Sequence, residues 1–391
     1  MSSSDSVKVL IVDSPFANMA PLYEVDPAAD VLLIVPPSTK PFAPWDDPTP
    51  ITTAHKTSKA LASTSGLRIK ASSKHLSSAS RVFRNKLQHA NTKTSTQSDG
   101  RVHLSLAEGF TPKAVTIVLN AIHSRGSKVP RAVDLETLAQ IALFVDKLQL
   151  YDAVEVYADR WISKLEDSIS DAHDRDLVLW LYASHVFRRA EVFKSVTKVA
   201  VAHSTGPLRD LGLPIREKII RDIDAQRQAL ISKSLGILHN TLHELASGKA
   251  SCSKFSCDSF LLGELVKTLH KNKLAPWPRP EKPFVGASHA AIVEAINSSA
   301  QFQWKSTGPA VDLWGAPVNG TEKILSRKRK SPNQQPITPE SSPEPVSRSG
   351  SSFDTHACDA RKLLGGFDEL DGLEDGIVGL ELESSLGFQR Y

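Results

Sequence analysis

Cysteine is scarce in this chain: Cys252, Cys257 and Cys358 are the three in 391 residues. Three thiols do not make a disulfide framework, which excludes the stapled secreted class and fits a reducing compartment. Long apolar runs are also missing. Val31 to Val35 ends at two prolines, so nothing approaches the length of a bilayer span. Val7 to Val12, interrupted by Lys8, is too short for the core of a secretory signal. These absences predict a soluble intracellular protein that is not secreted and has no membrane partner. Charge of one sign is lacking as well. Lys+Arg 47 against Asp+Glu 43 leaves +4, too balanced to predict direct nucleic-acid binding.

Catalytic signatures are absent too. There is no Gly-x-Ser-x-Gly elbow, His-Glu-x-x-His, P-loop or kinase set. Ser184-His185 and His203-Ser204 are sequence neighbours, and adjacency does not align a nucleophile with its base. Val7 to Asp13 (VKVLIVD) would suit the first strand of a nucleotide-binding domain, but Ser14-Pro15-Phe16 follows instead of a glycine-rich loop. An extra edge strand is the plainer account. The chain is expected to be no enzyme and to need no cofactor.

What the chain does have is enough apolar content, 40%, for two or three domains with real cores. Its most informative stretch is Leu67 to Leu87. Leu67, Ile69 and Ala71 alternate with Arg68 and Lys70, the period of a half-buried strand. Ser72-Ser73 offers a capping hydroxyl, and then Leu76, Ala79, Ser80, Phe83 and Leu87 share a helical stripe. Asp30 to Val35 is an earlier apolar strand. Val102, Leu104 and Leu106 form another after the Asp99-Gly100 turn. Three helices follow. Thr111-Pro112 starts one with Ala114, Val115, Val118, Leu119 and Ile122 inside; Asp134 caps a second with Leu138, Ile141, Ala142, Val145 and Leu148 inside. Asp152 is the cap expected for the third, carrying Val154, Tyr157, Ala158, Trp161 and Leu165.

The strand running into a helical hairpin with H-x-L-S-x-x-S-x-x-F (His75, Leu76, Ser77, Ser80, Phe83) resembles the segment after the first hairpin of BTB/POZ domains, in the form common in fungal proteins. Leu138 to Ile162 is similar to the closing helices of that fold. The resemblance implies an α+β BTB/POZ-like domain over 26–168, preceded by an extension, 1–25, with an edge strand of the kind exchanged between subunits in some members. It implies partners that are other proteins, and a homodimer through this block. Two features depart from the pattern. Pro36 to Gly66, opening with six prolines and continuing in Ser and Thr, predicts an exposed, poorly ordered insertion where a tight turn is usual. Leu106-Ala107-Glu108 resembles the hydrophobic-x-Glu motif by which some members grip a cullin scaffold, which implies a cullin contact at Glu108; its plainer reading is a solvated loop carboxylate.

Residues 174–299 predict an all-α region. Leu177, Trp180, Leu181 and Phe187 mark one helix, Val192, Val196, Val199 and Ala200 another, which Gly206-Pro207 stops. After Pro214, a stripe from Ile219 to Leu245 recurs at three- and four-residue steps, broken by Gly236; internal packing is favoured over a coiled-coil seam. A helix with Leu261, Leu262, Leu265 and Leu269, a proline-rich connector near Trp277 and a last short helix complete the region. His239 and His243 sit one helical turn apart, and with Cys252 and Cys257 they offer four ligands of the type tetrahedral zinc takes. The order is reversed from the common finger, and the default is no metal, with buried, redox-silent cysteines.

Residues 300–391 predict a mostly disordered tail with regulatory chemistry. Arg327, Lys328, Arg329 and Lys330 make a cationic cluster of the kind a nuclear-import receptor binds. Ser331, Thr338 and Ser342 each precede proline, and phosphorylation there would add about −1.5 to −2 per site beside that cluster. Phe367 to Leu386 interleaves acidic and apolar residues, which suits a segment that folds onto a partner or docks on this chain's own helices. The expected function is non-catalytic protein–protein interaction, as a nuclear or nucleocytoplasmic regulatory scaffold. The alternatives are a substrate adaptor of a cullin-based ubiquitin ligase and a zinc-binding module.

Overall fold

The structure, a computed structural model, describes residues 20–38, 40–45, 66–91, 97–249, 255–274, 280–300, 303–305, 357–359 and 366–383. It is a mixed α/β protein with a small four-stranded sheet and many helices. Two compact units divide the described residues: those of 1–236, 277–293 and 370–391, and those of 237–276 and 294–369.

The sheet of the first unit has the order β1-β3-β2-β4. Strand β2 (Val31–Val35) runs antiparallel to β3 (Leu67–Ala71), with Leu33 opposite Ile69. Its other edge carries β4 (Val102–Ser105) in parallel, with Leu33 opposite Leu104. The strands expected near Val31, Ile69 and Leu104 therefore share one sheet. At the outer edge, β1 (Leu22–Glu24) pairs in parallel with β3. This three-residue edge strand is too short for alternation to reveal, and residues 7–13, where an edge strand was expected, lie outside the described residues.

The helical stripe after β3 is divided in two, α1 (Ser73–Ala79) and α2 (Arg81–Asn91). Ser80 causes the break. Its backbone is extended, its hydroxyl donates to the Leu148 carbonyl (2.5 Å), and its oxygen accepts the Phe83 amide (3.0 Å) that α2 would otherwise leave open. Leu76, Phe83 and Leu87 all enter the core as their spacing predicts. Helix α3 (Pro112–Ile122) has its proline in the first turn, where a missing N–H costs nothing. Helix α4 (Leu135–Leu148) is capped by Asp134, whose carboxylate accepts the Thr137 amide at 2.7 Å. Two caps expected for α3 and α5 (Tyr151–Leu165) differ. Thr111 gives its hydroxyl to Gln140 instead, and α5 starts one residue before Asp152, which sits in its first turn.

The core does not stop at α5. Helices α6 (Arg175–Val186) and α7 (Ala190–His203) bury Trp180, Tyr182, Phe193 and Val196 in the same cluster as the sheet. Each fully buried aliphatic or aromatic side chain of this kind contributes about 1.5–3 kcal/mol. The start of the Pro36 to Gly66 insertion is also part of this unit, contrary to its expected exposure. Ala43 is buried, and Arg175 donates to the carbonyls of Phe42 and Ala43, both at 2.8 Å, and to Glu136. A guanidinium with five fixed donors can tie an irregular segment that has no ladder of its own.

Helix α8 (Glu217–Ala246) runs through Gly236, and its stripe from Ile219 to Leu245 is buried within the chain. In the first unit Arg227 is fully buried. It pairs with Asp224 (2.8 Å) and donates to the carbonyls of Pro283 (2.8 Å), Phe284 (3.3 Å) and Ala287 (3.4 Å), fixing the segment before α10 (His289–Ala300). In the second unit Leu238, Leu242 and Leu245 are buried, as are Cys257, Leu261, Leu265 and Leu269 of α9 (Phe255–Lys271). A two-stranded antiparallel ribbon joins β5 (Gln303–Lys305) to β6 (Ala357–Asp359). Helix α11 (Gly366–Asp375) follows. No helix among the described residues is long and apolar enough to cross a membrane.

Arg227→Met would leave three carbonyls and Asp224 without their donor. Removing one partner of a buried ion pair costs about 3–5 kcal/mol. The urea midpoint of the full chain is expected to fall accordingly, and an unchanged midpoint would show that the clamp carries no stability.

Candidate functional site

The motif-bearing face lies where β3 ends and α1 begins. Asp30, at the head of β2, accepts the Ser73 amide (2.7 Å) and the Ser73 hydroxyl (2.5 Å). A carboxylate from a distant strand thus takes the place of the hydroxyl cap expected from Ser72. Burial pushes the Asp30 carboxyl up, but the bonds from Ser73 outweigh it and hold the group below the usual value.

Beside this lies the group that sequence spacing did not reveal: Asp26, His75 and His123, each with one ligand-type atom within 4.8 Å of the others. The His75 and His123 ring centroids are 4.8 Å apart, and His75 Nδ1 lies 3.8 Å from Asp26 Oδ2. A divalent ion is the first chemistry such a trio suggests. The hydrogen bonds oppose it. His123 Nδ1–H donates to the Leu119 carbonyl (2.8 Å), and its Nε2 accepts the Ser72 amide (3.0 Å). Both ring nitrogens are spent on backbone, so a metal would have to displace an amide in a buried position. Burial also pushes the His123 imidazole down, favouring the neutral form that this geometry needs. Within the trio His123 ties the end of β3 to α3, and only His75 presents a substantial polar edge to solvent. His75 was already singled out by its place in the motif, whereas Asp26 and His123 are joined to it by the fold alone.

The candidate zinc ligands fare differently. His239 and His243 lie on one face of α8, half-buried and exposed, and Cys257 is buried on α9. These three form no ligand group among the described residues, and Cys252 lies outside them. Glu108 is exposed in the loop between β4 and α3, but Leu106, the apolar member of its motif, is buried. Arg327, Lys328, Arg329, Lys330, Ser331, Thr338 and Ser342 lie outside the described residues.

The hydroxyl of Ser234 meets the imidazole of His289 at 2.8 Å. Ser234 spends its proton on the Leu230 carbonyl, so His289 Nδ1–H donates to Ser234 Oγ, the reverse of an activated nucleophile. Both are buried. Other buried imidazoles are structural in the same sense. Ser184 turns its hydroxyl back to Leu181, away from a role with His185. The Nε2 atoms of His173, His185 and His289 are buried without a hydrogen-bond partner among the described residues. Compared with protein-family models, curated proteins and solved structures, the chain matches none of them.

The imidazoles set a pH dependence. Burial, with Arg216 close by, pushes His185 down to about 4; burial, with His203 close by, pushes His289 down to about 4. Unfolded, each titrates near 6.5. Above that value neither state binds the proton and stability is unaffected; below it the unfolded chain takes protons that the folded chain refuses. The thermal midpoint is expected to fall as pH drops from 6.5 toward 4, and His289→Gln is expected to make that fall shallower. A flat profile over this window would contradict the assignment.

Proposed function

We propose that this chain is a non-catalytic protein–protein interaction protein, built on a BTB/POZ-like block that recruits partners or a second copy of itself. The observation that carries the reading is the sheet. An antiparallel β2–β3 pair, the α1–α2 hairpin, a β4 strand in the same sheet and three helices follow in the order of elements that the resemblance implies. The motif side chains act as such a block requires. Leu76 and Phe83 fill the core, Ser80 joins the hairpin to the end of α4, and His75 remains at the surface. Its outward faces offer recognition surface rather than a reaction centre. The basic cluster at Arg327 to Lys330 supports a nuclear or nucleocytoplasmic regulatory scaffold bound by an import receptor.

A second version is an adaptor for a cullin-based ubiquitin ligase. What favours it is the exposure of Glu108 on the loop after β4. Affinity capture of the full chain distinguishes the two. A cullin that co-purifies and is lost on Glu108→Arg would establish the adaptor. Deleting Arg327 to Lys330 is expected to abolish nuclear accumulation under the scaffold reading. Light scattering on the full chain is expected to report a dimer if the block self-associates. A monomer that captures no protein partner would sink the proposal as a whole.

A further inference from the structure

The acidic and apolar residues near the C-terminus are seated in cis. Past α11 the chain crosses α7 as irregular backbone that turns helical at Leu382, with Ile377, Gly379, Leu380 and Leu382 buried and Val378, Glu381 and Glu383 exposed. Three contacts fix the register. The Leu380 amide donates to Thr197 Oγ1 (2.8 Å), whose own proton goes back to the Phe193 carbonyl (2.9 Å). One turn before Thr197, Lys194 pairs with Glu381 at 2.6 Å. Between these two contacts Gly379 lies flat on the helix. A Cβ at this position would overlap the Lys194 carbonyl and come within 2.7 Å of Thr197 Oγ1, so no other residue fits without lifting the segment.

These are the elements by which a short peptide is read: one main-chain bond, one charge, one position restricted to glycine and apolar side chains buried on either side of it. We propose that the α7 face around Lys194 and Thr197 is a peptide-docking site for the pattern apolar-x-Gly-Leu-acidic-Leu, and that residues 377–382 fill it as a tethered occupant. Two features favour a displaceable occupant over a fixed piece of core. The segment's apolar residues are less deeply buried than those beneath them: Leu382 is 6% exposed against 0% for Phe193 and Val196. Its ion pair stands in solvent, where such pairs are weak. Because the occupant is covalently attached, a free competitor must bind well to displace it. The ligand class is therefore a short acidic-apolar peptide with a central Gly-Leu, supplied by another protein once the occupant leaves.

The test uses full-length chain and a fluorescein-labelled peptide of residues 374–385. Gly379→Val in the chain is expected to evict the occupant and raise affinity for the wild-type peptide at least tenfold over the unaltered chain. The same substitution in the peptide is expected to lower binding at least tenfold. Equal binding by both chains, or by both peptides, would overturn the proposal. Should G379V fail to fold, the exposed Lys194 provides the second arm. Lys194→Glu is expected to speed amide exchange at Leu380 at least threefold, with recovery when Glu381→Lys is added; unchanged exchange would overturn the proposal equally. A wild-type dimer that G379V dissolves would place the segment on a second copy and overturn the tethered reading.

Discussion

Strand β2 has no free edge. Every amide and carbonyl of Val31–Val35 must be met by β3 on one side and β4 on the other, in opposite directions. Val31, Leu33 and Val35 are buried on one face and Leu32 on the other, where Ile34 is half-buried, so little of the strand is left solvated. A slip of one residue would reverse Ile69 and Leu104 together. The α1–α2 hairpin is what the chain must complete between β3 and β4, so its geometry follows from the pairing and not the reverse.

Around that strand, order is imposed by single polar anchors rather than by more sheet. Asp30 holds the start of α1, Ser80 joins the hairpin to α4, His123 bonds Ser72, and Arg227 clasps the segment before α10. Each satisfies backbone groups that irregular chain leaves open, and each spans tens of residues in sequence. Such anchors specify position more than they add stability, because their desolvation offsets much of what their bonds return. The seating of residues 377–382 follows the same logic on a smaller scale, with Thr197 supplying the bond and Gly379 the fit.

Local periodicity made much of this visible in advance. Leu67, Ile69 and Ala71, the stripe from Leu76 to Leu87, and the buried faces of α3, α4 and α8 follow from spacing, because a two-residue or 3.6-residue repeat states which side is apolar. Asp134 was legible as a cap, since its partner Thr137 is three residues away. What escaped notice is what depends on distance along the chain. Ser72 and Thr111 have capping hydroxyls, yet both positions answer to residues elsewhere: Asp30 takes over at α1, and Gln140 draws the Thr111 hydroxyl away from α3. The prolines after Val35 read as solvent-exposed chain, and nothing near them announces Arg175, over a hundred residues on, as the group that holds Phe42 and Ala43. Asp26, His75 and His123 share no spacing; they come from the chain after β1, from α1 and from the end of α3, and meet only in the folded chain. The placement of Leu380 on α7 is likewise a tertiary fact, although the alternation of acid and apolar residues marked the segment as one that would cover a surface.

The same Arg175 clasp has a corollary. Chain entering the insertion is pinned at Phe42 and Ala43. Chain leaving it is pinned at Gly66, where even a methyl group would come within 2.5 Å of the Val35 carbonyl. With both gateposts fixed by groups of their own, the number of residues strung between them is decoupled from the register of β2 and β3. The two fixed points, Ala43 and Gly66, therefore set where β3 enters the sheet.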